Sequence, residues 1–172
     1  MDIKQIASKD IQGLFRSDAQ YGGSWMRRGG IGAFMMLARK WDRIDQRMTK
    51  YPDSNILKAI EEDQRAEGII DDIRDLRRYL LLVAALWIGG EENYIKCLGD
   101  VSSSDIESAG KSESWDFWKM NWNSLETVVR KFNYDIFKSP VKAECQYLRI
   151  QLLLIEEEFI KIGINPKHRD NQ

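Results

Sequence analysis

Three prolines, two cysteines and one histidine in 172 residues make this a chain short of the residues that punctuate sheets and build metal or redox centres. Scarce proline and few β-branched alternations argue against a fold of short strands and turns, and favour helices. Cys97 and Cys145 lie far apart and match no metal or redox spacing, so they read as free thiols of a reducing compartment. The lone His168 stands in a polar tail and is read as non-catalytic. No apolar run reaches the roughly 18 residues of a spanning helix. The opening M-D-I-K-Q-I-A-S-K-D lacks the apolar centre of a secretion signal, and a cytoplasmic protein is expected. Excess charge is missing too: 26 basic and 27 acidic residues leave a net charge of -1. That removes any global pull toward polymeric nucleic acid or an acidic membrane, and neither is expected as a partner; local patches can still hold phosphate. What is present is 43% hydrophobic and 31% charged residues, ordinary for a domain with a buried core.

The strongest pattern is residues 67–88. Ile69, Ile73, Leu76, Leu80, Val83 and Trp87 recur at helical spacing, and Gly89-Gly90 follow where the helix should stop. Asp72 and Tyr79 fall at the edge of that apolar stripe, with Asp75 next outward. Residues 33–48 predict a second amphipathic helix through Phe34, Leu37, Trp41, Ile44 and Met48. Asp45 falls inside its stripe and Asp42 beside it; an inward aspartate is costly unless compensated. Before this helix, residues 16–32 hold five glycines with Tyr21, Ser24, Trp25, Arg27 and Arg28, and read as an ordered loop. Helices are also expected over 2–16, 56–66, 91–98, 115–132 and 140–162. In the last, Val141, Cys145, Leu148, Leu152, Ile155, Phe159 and Ile162 form the stripe, and Glu156–Glu158 read as a solvated face. Trp115, Trp118 and Trp122 share one helix face and are expected in the core or at an interface. The Ser-rich stretch 101–114 reads as a linker. The expected organisation is therefore all-α: a helical core over 1–100, a linker over 101–114, and a C-terminal helical hairpin over 115–172 packing on the core or on a partner subunit.

Two helices each carry D-x-x-D, Asp42/Asp45 and Asp72/Asp75. Acids three apart lie on one helix face, and a short connection favours antiparallel packing that would let four carboxylates converge. Such oxygen donors suit Mg²⁺ or Mn²⁺, which bind carboxylates together with substrate phosphates and activate water. Arg27, Arg28, Lys40 and Arg43 would hold the phosphates, and Tyr21 or Trp25 would pack on a base or sugar. Ser24 in the loop and Tyr79 on the 67–88 helix complete the candidate pocket.

Paired acidic motifs on adjacent helices resemble the MazG-type all-α nucleotide pyrophosphohydrolases, whose pattern is E-x-x-E, a spacer, then E-x-x-D, binding Mg²⁺. Y-G-G-S-W followed by K-W-D-R-I is similar to a phage-associated group of small helical proteins linked to nucleotide modification, which carry Tyr-Gly-x-Ser-Trp and Lys-x-x-Arg-Ile. The likeness covers about residues 18–88. It implies a MazG-like bundle, to which residues 115–172, outside the likeness, are expected to add a C-terminal helical extension. It also implies a Mg-dependent enzyme splitting a nucleoside triphosphate into monophosphate and pyrophosphate. Asp42, Asp45, Asp72 and Asp75 would then hold metal, with Glu67 or Asp71 orienting water. The sequence departs from the pattern, since three of the four glutamates are aspartates. In a second register Arg39, Lys40 and Arg43 replace the first acids. That register suits a binder that sequesters a nucleotide or nucleotide signal, with no metal cofactor. A third reading is a structural interaction protein with the Trp stripe as a dimer surface. A homodimer or higher homo-oligomer is expected in any of them.

Overall fold

The computed structural model describes residues 1–21, 23–90, 101–109 and 114–163; the side chains of 17–21, 105 and 108 are not described. The expected helix 91–98 and His168 lie outside these residues, as does the Tyr21 side chain. The fold is all-α, with no strand among the described residues. Its helices are α1 (Ile3–Tyr21), α2 (Gly29–Met48), α3 (Ile56–Glu62), α4 (Ile69–Leu86), α5 (Ser103–Ala109), α6 (Trp115–Lys131) and α7 (Lys142–Lys161). A single 3₁₀ turn, Ser24–Met26, precedes α2.

Helix α4 is the centre, packed between α2 and α7, with α1 lying across α4 and α7. The reason is its composition. Apolar residues occupy nearly every position from Leu80 to Ala85, all of them buried, and such a helix must be covered on all sides. Its entry is sharply cut. Gly68 donates its N–H to Asp71 (3.0 Å) and Ile69 donates to Asp63 (2.8 Å), so two carboxylates take up free N–H groups of the first turn. This cap separates α3 from α4.

Three segments differ from expectation. The glycine-rich loop is shorter: α1 runs to Tyr21, and Gly29–Gly32 already form the first turn of α2. Gly30 is required there by close packing, because a Cβ would lie 1.8 Å from Asp135 Oδ1 and 2.8 Å from the Phe137 nitrogen. The 101–114 stretch is not a bare linker. It holds α5, and Val101 and Ala109 are buried with Ile3, Ile6, Ala7, Ile150, Leu153 and Leu154 in a second apolar cluster. Helix α7 is buried on both sides for the same reason, since α1 and α5 cover the face opposite Leu148, Leu152 and Ile155.

The tryptophans belong to the main core. Trp41 of α2 stacks on Trp115 and Trp122 of α6 with ring centres 4.5 and 4.9 Å apart. Trp115, Trp118 and Trp122 are all buried, in line with the expected core position, and they form the seam between α6 and the rest of the chain rather than a dimer surface. One apolar cluster runs from Ile11 to Phe159.

No helix among the described residues is long and apolar enough to cross a membrane.

Candidate functional site

One edge of α2 is basic, and it meets an acidic edge formed by α4 and the segment before it. Lys40 Nζ lies 2.7 Å from Asp75 and 3.5 Å from Asp72. Arg43 Nε lies 3.2 Å from Asp72, and its terminal nitrogens reach Glu67 at 3.4 Å. Arg47 lies 3.6 Å from Asp63, which also binds Arg65 at 2.7 Å. Rising numbers on α2 pair with falling numbers on the other side, so the two edges run antiparallel. The spacing Lys40, Arg43, Arg47 follows the helical period, which is why all three cations share one edge.

Asp72 is the innermost member, with no exposed surface. Its Oδ2 faces Arg43 and, at 3.9 Å, Arg65, yet makes no well-formed hydrogen bond. Burial therefore raises its pKa, against the pull of Arg43 and Lys40. Lys40 shows the converse balance. Burial works to discharge it, but Asp75 and Asp72 together hold its pKa above the ordinary lysine value. Tyr79, half-buried near Asp75 and Lys40, has its hydroxyl pKa pushed up by burial and by Asp75.

The four expected carboxylates do not converge. Asp45 accepts the indole N–H of Trp115 at 2.7 Å and pairs with Lys119 at 3.2 Å, on the α6 side of α2. Asp45 lies at the edge of the buried stripe of α2, with its side chain 30% exposed, and its compensation comes from an indole and a lysine some 70 residues away in sequence. Asp42 faces outward, along a shallow cleft of about 430 Å³ lined by Met35, Ala38, Arg39, Asp42, Arg43 and Gln46. Asp72 and Asp75 are engaged by Lys40 and Arg43. Among the described residues no group of three or more His, Cys, Asp or Glu side chains is placed to hold a metal ion. The donor set does not fit Mg²⁺, because each inward acid already has an internal cation or N–H donor. The two candidate water-orienting groups also have other partners: Asp71 caps α4, and Glu67 is an exposed partner of Arg43.

The arginine loop lies elsewhere in the same chain. Trp25 packs edge-on against Phe137 at 5.5 Å, fixing the Ser24–Met26 turn to the segment after α6. Ser24, Arg27 and Arg28 are exposed there. Arg28 and Lys40 are twelve residues apart on α2, about 18 Å along the axis. One copy of the chain therefore holds a basic edge and a separate basic loop.

Arg65 and Asp63 were missed by the sequence reading. Their only signal was the D-x-R spacing that places both on the same side of the turn before α4, a pattern too common to single out.

No family model matches the sequence, and no curated protein or solved structure is significantly similar to it.

Proposed function

We propose that this protein binds nucleotide phosphate without hydrolysing it, through the basic edge of α2. The observation that carries the reading is the way Arg43 is held. Its Nε is engaged from inside by fully buried Asp72, while among the described residues its outward nitrogens reach Glu67, whose side chain is 73% exposed. A phosphate group offers several oxygens and up to two negative charges in the geometry a guanidinium fork prefers. It would replace an exposed carboxylate held by two 3.4 Å contacts. Lys40 and Arg65 stand beside it, each already oriented by a buried acid. Tyr79 offers an aromatic ring at the Lys40 end for the base or sugar. Turnover is disfavoured because Asp72 and Asp75, the acids a hydrolase would spend on metal, neutralise Lys40 and Arg43 instead.

The test is nucleoside triphosphate binding followed by calorimetry and thermal melts, in EDTA and in Mg²⁺, with pyrophosphate release measured in parallel. The reading expects binding that survives EDTA, no product, and about ten-fold weaker binding for Arg43→Ala, worth about 1.4 kcal/mol. Mg-dependent pyrophosphate release abolished by Asp72→Ala would replace it with the pyrophosphohydrolase. Absence of any melting shift with any nucleotide would end both and leave a helical interaction protein.

A further inference from the structure

Among the described residues the outward face of α2 is largely uncovered. Taking Met35 as its centre, Arg28, Ile31, Gly32, Ala38, Arg39, Asp42 and Gln46 lie within about 60° of it on the helical wheel. Ile31 and Met35 are 52% and 49% exposed, large apolar side chains one turn apart. The shallow cleft of about 430 Å³ runs along the same face. Arg28, Arg39 and Asp42 are exposed and make no ion pair among the described residues. Elsewhere on α2, Lys40, Arg43, Asp45 and Arg47 all have charged partners, so the unpaired charges are concentrated on this one face.

We propose that two copies of the chain pair antiparallel along α2, about a twofold axis at Met35, through reciprocal Arg28–Asp42 ion pairs. The register follows from arithmetic. In an antiparallel pair centred on residue 35, positions 28 and 42 are equidistant from the axis. Arg28 of each copy therefore stands opposite Asp42 of the other, near the middle of the contact. The two Met35 side chains meet on the axis. Ile31 packs against Ala38 of the second copy. Met35 against Met35, Ile31 against Ala38 and Arg28 against Asp42 make the face self-complementary, which is what an isologous interface requires. Opposite charges facing across it fix the register, since a shift of one turn would set Arg28 against Arg39 or Gln46.

Resting on the phosphate-binding reading above, the pairing also carries the Arg27–Arg28 turn of the second copy to the Arg43 end of the basic edge. Single chains keep Arg28 and Arg43 about 22 Å apart along α2; the pair brings them together. The site would then be completed only in the dimer.

Sedimentation velocity of the full chain without ligand tests the pairing. The wild type is expected to be a dimer. R28D and D42R, both at exposed positions, are expected to be monomers with unchanged helical circular dichroism, and the R28D/D42R double reversal is expected to restore the dimer. A monomeric wild type, or a dimer that survives both single reversals, would overturn the pairing. The shared site has its own readout. R27A should leave the dimer intact and weaken nucleotide binding in EDTA roughly five-fold, the loss of one charge-assisted contact. Unchanged affinity in an intact dimer would overturn the shared site alone, whereas failure of the unsubstituted protein to bind any nucleotide would overturn the reading on which it rests.

Discussion

Removing the Lys40 ammonium is the perturbation that most directly separates a charge ladder from an acidic metal pocket. Lys40→Met keeps the aliphatic stem. The wild-type Nζ lies 2.7 Å from Asp75 and 3.5 Å from Asp72. At an effective dielectric of about 20 these are gross attractions of about 6 and about 5 kcal/mol. Most of that is offset by desolvation of a side chain only 16% exposed, which costs several kcal/mol per ion. The Asp75 side chain is 38% exposed, so its share is that of a surface pair, about 1 kcal/mol or less. Asp72 is the costly partner. Stripping all compensation from a buried ion costs about 3–5 kcal/mol, but Arg43 and Arg65 remain, which puts the net loss at about 2 kcal/mol. In a domain of this size that is a fall in Tm of about 4–8 °C. The signs agree with this. The raised pKa of Lys40 means its stabilisation is complete at neutral pH and lost only as pH rises through that raised value. Acid should shrink the deficit of the variant, because Asp72, its pKa already raised by burial, no longer needs a cation once protonated. The assay is urea unfolding at neutral pH in EDTA, against Lys50→Met as an exposed control with no ion pair among the described residues, expected within about 0.5 kcal/mol of wild type. Lys40→Met indistinguishable from Lys50→Met would refute the ladder, and with it the argument that Asp72 and Asp75 are already engaged.

Two further perturbations probe the parts that hold this edge in place. Glu156 is buried between Arg74 (2.8 Å) and Arg77 (2.7 Å); burial pushes its pKa up, but the two arginines outweigh that and hold it below the usual carboxylate value. Its stabilisation is therefore present above its unfolded pKa near 4.5 and lost as pH falls through the lower folded value. Glu156→Gln should cost about 3 kcal/mol at neutral pH, with its stability-versus-pH curve converging on the wild-type curve in acid; parallel curves would show that the pairs with Arg74 and Arg77 carry no weight. Asp45→Ala removes the acceptor of the Trp115 indole and should destabilise by about 1–3 kcal/mol, with a changed near-ultraviolet circular dichroism signal from the Trp41–Trp115–Trp122 stack. The same variant leaving both stability and spectrum intact would mean that Asp45 does not orient the stack.

The amino-acid order alone determined the helices other than α5, and most of their inward faces. The stripes of α2 and α4 are buried as their 3.6-residue period requires, except Trp87, which caps the end of α4 and is exposed, because that period depends only on near neighbours in the chain. It also located the acids that sit awkwardly on those faces, Asp45 and Asp72. What neutralises them was settled only by packing. Lys40 is 32 residues from Asp72, Trp115 is 70 from Asp45 and Glu156 is 82 from Arg74, and no local pattern encodes a contact across such separations. Glu156 looks like part of a solvated acidic run until α1 and α4 close over it. Gly30 looks like loop until the segment after α6 settles against its missing side chain. A helical period says which side of a helix turns inward; only the arrangement of the other helices says what waits there, and a buried charge takes its meaning from that neighbour.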